Sequence, residues 1–305
     1  MNKYKSLIRV VIIFTISLSL ISITSCGEDD VNNTVNTKPD PKPDPKPDPK
    51  PDKPTVDISK YFIPIGQLNE DTRPLMECVN YGDDVVKALN DSLSTAIRNA
   101  KTKRDKAVVA AKFIVSFKSV IPYAYEIKGE NNKLVARYTR KGLFLKPVDE
   151  DGYTHKPWGC EVITPPDPNK YPKNSYKNLG STYRNGLHCS SFIGWCLFNS
   201  EVVNNVELLD RTYADNYKDF PLTKLVPLES GKDLIQPGDL LYFKGHVAMV
   251  IDVDGDIVTF AESAIWGNDH TDPRNGSRWR TFNRKTVDYK TFRFKSLIQM
   301  EGVYK

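Results

Sequence analysis

The sequence predicts an α+β domain in which helices come first and an antiparallel sheet follows. Three observations carry that expectation. Two amphipathic stretches lie between residues 83 and 120. A short apolar segment opened by a cysteine begins at 189. After residue 235 the chain becomes a series of short apolar strands punctuated by Pro-Gly and Asp-Gly turns.

Ahead of this domain, residues 1–25 have the make-up of a targeting segment. Lys3, Lys5 and Arg9 form a basic start, and residues 10–23 form an apolar stretch too short and too Ser/Thr-rich for a spanning helix. Ile23-Thr24-Ser25-Cys26 closes it and resembles a bacterial lipobox, which implies cleavage before Cys26 and a lipid on that cysteine. The acidic residues just behind Cys26 resemble the surface-export signal of some bacterial lipoproteins. Residues 26–57 then form a linker whose Lys-Pro-Asp-Pro repeats forbid helix and favour a polyproline-II spacer. The expected location is therefore the cell envelope, with the domain tethered to a membrane through lipid. Removing the three basic residues of the leader from a total of 43 leaves 40 against 38 acidic residues. That near-balance, with no concentrated basic patch, argues against nucleic-acid binding.

The N-terminal helical segment, 58–120, contains two predicted helices. Asp83 or Asp84 caps the first, with Val85, Val86, Leu89, Leu93 and Ile97 on its apolar face. The second runs from Arg104 to Val120, with Ala107, Val108, Ala111, Ile114, Val115 and Lys118 at three-four spacing, and stops before Pro122. An extended stretch, 121–125, opens the remaining domain, 121–305. About 126–185 is an insertion, with short strands expected at 134–138 and 142–148 and an irregular Pro/Asn/Tyr-rich loop from 153 to 183, whose Trp158, Tyr171, Tyr176 and Tyr183 read as packing residues.

Gly186-Leu187-His188-Cys189-Ser190-Ser191-Phe192 places Cys189 at a loop-to-helix junction. The first turn of a helix presents unpaired N–H groups and the positive dipole end, and both favour the thiolate. An exported chain invites disulfides. Cys189 and Cys196, seven residues apart, stand roughly 10 Å apart along one helix and cannot pair within it. Cys196 reads as core, while Cys78 and Cys160 either pair with each other or stand free.

A thiolate nucleophile needs a base, and the chain has four histidines. His155 and His270 lie in polar segments, and His188 adjoins the cysteine. His246 instead opens a strand, 246–253, after a first strand that follows the Pro237-Gly238 turn. Asp254-Gly255 marks a hairpin, with a third strand from 256 to 263 and a last one near 292–300. A three-residue loop, 253–255, would pair Asp252 with Asp256 and set His246 opposite Glu262. A two-residue turn at 254–255 would set Ser263 opposite His246 instead. The shared apolar face of Ala248, Val250, Val258 and Phe260 favours Glu262 as the residue that orients His246.

Three pieces resemble the NlpC/P60 cysteine peptidases: the helix-start cysteine with its Ser-x-Phe continuation, Pro237-Gly238-Asp239-Leu240, and Gly245-His246-Val247-Ala248-Met249-Val250. The resemblance implies a papain-like fold in circularly permuted order and hydrolysis of amide bonds in peptidoglycan stem peptides, between γ-D-glutamate and a diamino acid. It implies Cys189 as nucleophile, His246 as base, Glu262 as the polar third residue, and no cofactor or metal. Tyr123 or Tyr125 matches the family's upstream aromatic, and Ser190, His188 and Trp266 complete the expected substrate contacts, in a monomer. The sequence departs from that pattern where His188 stands in place of an aspartate and where some 60 residues separate Tyr125 from Cys189. Two other readings stay open. One is an N-acetylmuramoyl amidase or another exported amide or ester hydrolase. The other is a noncatalytic wall-binding lipoprotein using Trp266, Trp279 and the 274–284 basic cluster, which otherwise reads as a solvated loop.

Overall fold

The computed structural model describes residues 56–66, 73–78, 81–123, 158–163, 182–203, 221–266, 272 and 274–305. The chain divides into two compact units, Met1–Lys53 and Pro54–Lys305, and all described residues belong to the second. The leader, Cys26, most of the linker, Tyr125, the strands expected at 134–138 and 142–148, Tyr171, Tyr176, His155 and His270 lie outside the described residues.

Helix α1 spans Asp83–Asn99 and buries Val86, Leu89, Leu93 and Ile97, with Gly82 at its cap and Asp83 and Asp84 in the first turn. Acidic residues there complement the positive helix end. Helix α2, Lys103–Val115, starts with a reciprocal cap: Asp105 N–H donates to Thr102 Oγ1 at 3.0 Å, and Thr102 N–H donates to the Asp105 carboxylate at 3.2 Å. It ends five residues before the expected Val120. Beyond Val115 the chain leaves the helix so that Phe117 can bridge Phe62 and Val120 can bridge Leu75. Lys118, assigned by spacing to the apolar face, is exposed.

A two-stranded sheet pairs β1, Glu161–Ile163, with β2, Thr182–Arg184. Helix α3 is Cys189–Asn199, and all but one of its residues are buried. Strand β3, Lys224–Pro227, and the single-turn α4, Leu228–Gly231, lead to the main sheet. Its other strands are β4 Leu240–Phe243, β5 His246–Asp254, β6 Ile257–Ala264, β7 Gly276–Asn283 and β8 Ser296–Gln299, in the order β3-β8-β4-β5-β6-β7, every neighbour antiparallel. The class is α+β, as predicted. Strand β7 was not expected, because its alternating Ser-Arg-Trp-Arg-Thr-Phe resembled a solvated basic loop. In the structure its first four residues are buried, Arg278 and Trp279 completely.

Two apolar clusters sandwich the sheet. Val247, Met249, Ile251, Ala261 and Trp279 lie on the side of α2 and α3, with α1 packed behind α2. Ala248, Val250, Val258, Phe260 and Phe282 pack with Leu228, Ile235 and Phe294 on the other. The first cluster draws together residues from 76 to 300, so the helical segment and the sheet-bearing segment share one core. Asp239 of the Pro-Gly-Asp turn is structural: it accepts from Arg104 of α2 (3.1 Å), from Gln236 N–H (3.1 Å) and from Met300 N–H (3.0 Å).

The hairpin register differs from the expected one. Asp254 pairs with Ile257 across a two-residue Gly255-Asp256 turn, with Gly255 at φ 57°. Continued unbroken, that pairing would put His246 and Glu262 on opposite faces. A bulge between Val250 and Asp252 shifts the ladder by one, so Val250 pairs with Phe260 and Met249 with Ala261. Glu262 therefore falls two positions from the predicted partner, on the same face as His246 and diagonal to it.

Candidate active site

Cys189 is brought to the site by a close approach of backbones. Leu187 N–H donates to Pro122 O at 3.0 Å, Ser277 N–H donates to Ile121 O at 2.8 Å, and Ser263 Oγ donates to Leu187 O at 2.5 Å. A Cβ on Gly186 would stand 1.8 Å from Pro122 O, and one on Gly276, at φ 112°, would stand 2.2 Å from Ile121 O. Only glycine lets these chains lie so close. From the opposite flank, Gly159 N–H donates to Asn185 O and Asn185 N–H donates to Cys160 O, both at 2.8 Å. Cys160 is bonded to Cys78, and Trp158 lies edge-on to Trp195 of α3 with ring centres 6.0 Å apart. The Cys78–Cys160 pairing left open by the sequence is thus present, and Cys189 and Cys196 are free and buried.

His188 is the cap of α3. Ser191 N–H donates to its Nδ1 at 3.3 Å, and His188 N–H donates to Ser191 Oγ at 2.8 Å. Ser190 Oγ is 3.0 Å from the same Nδ1. Ser190 is buried, so its hydroxyl serves the cap. Cys189 is the first residue of the helix, where N–H groups have no partner inside it. Its Sγ is 3.9 Å from Gly245 O, at the turn that leads into His246.

His246 and Glu262 meet as the diagonal register requires: Nε2 donates to Oε2 at 2.7 Å. That leaves Nδ1 clear of the carboxylate, and the imidazole and the Cys189 thiol are close enough to shift each other's acidity. The imidazole packs against Phe243 and Phe294, with ring centres 5.3 and 5.9 Å away. Cys189 is 5% exposed, His246 8% and Glu262 0%. Glu262 Oε1 accepts from Arg280 Nε at 2.9 Å and from Arg293 Nη2. Trp266 lies beneath these cations, 4.9 Å from the Arg280 and 5.7 Å from the Arg293 guanidinium.

Burial opposes charge at all three groups, and local partners overcome it. For Cys189, burial pushes the thiol up, but hydrogen bonds and charge from His188 and His246 bring it down to about 5. Burial pushes His246 down, and its bonds to Cys189 and Glu262 raise it to about 9. Glu262, desolvated yet bonded to His246 and facing Arg293, sits at about 2. Near neutral pH these shifts give a thiolate–imidazolium pair backed by an ionised carboxylate. Burial alone drives the Cys196 thiol upward, leaving it inert.

The structure brings together Cys189, His246 and Glu262, with His188 and Ser190 beside the thiol. Tyr123 is buried, and Trp266 is half-buried among arginines. Sequence reasoning missed Arg280 and Arg293. The signal for the first was the alternation through 277–282, which places Arg280 two pairs from Glu262 on its face of the ladder. Among the described residues no cluster of His, Cys, Asp and Glu is suited to hold a metal, and no helix is long and apolar enough to cross a membrane. Comparison with protein-family models, with curated proteins and with solved structures found no match to this chain.

Proposed function

We propose that this chain is an exported cysteine hydrolase that cleaves amide bonds in the stem peptides of peptidoglycan, between γ-D-glutamate and a diamino acid, on a papain-like fold in permuted order. One observation carries the reading. A helix-start thiol with depressed acidity lies beside a histidine whose Nε2 is held by a buried carboxylate. That is the arrangement nucleophilic catalysis at an amide requires. The thiolate of Cys189 attacks the carbonyl carbon, and the imidazolium of His246 protonates the departing amine. The neutral imidazole then takes a proton from water as its oxygen attacks the thioester, which releases the acid and the Cys189 thiolate and leaves His246 as the imidazolium. The Cys189 N–H at the positive end of α3 faces the developing oxyanion, a contribution worth about 10²–10³ in rate. A lipid on Cys26 and the proline-rich spacer would hold the domain at the cell envelope, within reach of the wall.

The test is digestion of purified peptidoglycan by the full chain beside Cys189→Ala, with new termini mapped by mass spectrometry. Free diamino-acid amino groups in the native digest alone support the endopeptidase. Release of whole stem peptides supports an amidase instead. Identical products from the two proteins would sink the catalytic reading, and wall binding without cleavage would favour a noncatalytic lipoprotein.

A further inference from the structure

A carboxylate buried against a general base carries a penalty for catalysis. At 2.7 Å from Nε2 and shut away from water, the charge of Glu262 favours the imidazolium. His246 must nevertheless lose its proton to the leaving amine and take another from water, and such a group works best with a proton affinity matched to the operating pH. A neutral acceptor would orient the ring without that penalty, yet the residue here is glutamate.

The surroundings of Glu262 resolve the conflict. His246 of β5 takes Oε2. Arg280 of β7 and Arg293, just before β8, both take Oε1. Arg278 lies directly across the ladder and donates to Asn275 O at 3.3 Å. Arg274 pairs with Asp272 at 2.6 Å and lies over the ring of Trp266. Cys189 and His188 of the α3 cap lie beyond the imidazole. Two guanidiniums therefore bond directly to one carboxylate, and both side chains are mostly shielded from solvent. One guanidinium already balances the single negative charge of the carboxylate. The second brings an excess positive charge to the one oxygen that does not face the histidine.

We propose that Arg280 and Arg293 are positioning residues that discharge Glu262, so that it acts toward His246 as an oriented hydrogen-bond acceptor rather than as a full negative charge. This rests on His246 being the general base of the proposed reaction. The pair sets the proton affinity of the histidine through the carboxylate they share with it.

The test follows His246 directly. In the full chain labelled with ¹⁵N-histidine and carrying Cys189→Ala, which removes the thiolate, the ring nitrogens of His246 are assigned by their loss in His246→Ala and titrated by NMR. Arg293→Gln raises the midpoint by about one unit, a tenfold gain in proton affinity. Arg280→Gln moves it the same way, and Arg293→Lys, which keeps the charge, restores at least half of the shift. A glutamine variant whose midpoint stays put or falls, even with a lower melting temperature, overturns the proposal, and either variant alone decides if the other does not fold. No substrate enters the measurement. A chain that fails to cleave peptidoglycan leaves this result standing, and an unmoved midpoint in an active enzyme rejects the arginine role alone.

Discussion

Replacing Gly186 by alanine tests how the nucleophile is placed. The new Cβ would stand 1.8 Å from Pro122 O, and real Cβ contacts do not fall under 3.0 Å, so the two backbones must part by about 1.2 Å. Pro122 cannot yield freely, because its neighbour Ile121 is held to Ser277 at 2.8 Å. The strain falls on the other side, where the 3.0 Å bond from Leu187 N–H to Pro122 O would stretch past hydrogen-bonding range. Leu187 also carries the carbonyl that Ser263 holds, and Cys189 follows two residues later. A displacement of about 1 Å in a reacting group costs about 10²-fold in rate, and overpacking costs about 1–3 kcal/mol in stability. Cleavage rate, alkylation of Cys189 by iodoacetamide and thermal melting report the three effects separately. Full activity at an unchanged melting temperature would refute the claim that this close approach positions the thiol.

The remaining expectations concern charge and covalent links. Activity should follow a bell: the acid limb, near pH 5, marks formation of the Cys189 thiolate as pH rises, and the basic limb, near pH 9, marks loss of the imidazolium. A rate that still climbs between pH 6 and 8 with a single group of ordinary histidine acidity would contradict the ion pair. Glu262→Ala leaves His246, Arg280 and Arg293 without their shared buried acceptor and should cost about 3–5 kcal/mol in chemical denaturation; a loss below about 1 kcal/mol would argue against the network. The Cys78–Cys160 bond closes a loop of 82 residues, so changing both to serine should cost up to about 4 kcal/mol, and unchanged denaturation would rule that contribution out.

The positions of Cys189 and His246 were legible because each sits at a punctuated boundary: Gly186 ahead of an apolar helix, and Gly245 ahead of an apolar strand. Glu262 was legible through face parity alone. Its register was not, because Asp254-Gly255 advertises a turn one residue away from the one formed, and Ile251, an ordinary apolar strand residue, gives no sign of the bulge beside it. Strand β7 stayed hidden because its arginines look solvated in one dimension; their role emerges only once Glu262 lies alongside. The end of α2 was misjudged for a related reason. Phe117 and Val120 continue an apolar run, but bridges to Phe62 and Leu75, distant in sequence, claim them.

The bulge near Ile251 also separates two parts of one hairpin. Between it and the tip, pairing follows the Gly255-Asp256 turn; on the other side, pairing follows the sheet that holds His246 and Glu262. The tip is thereby insulated from the chemistry. A loop of different length, an affinity tag or new chain termini introduced at 255–256 would alter the outer rungs only, while the same insertion between Ile251 and His246 would turn the histidine away from its carboxylate. The hairpin that carries His246 thus offers a place to attach a label or a second domain without reaching the candidate site.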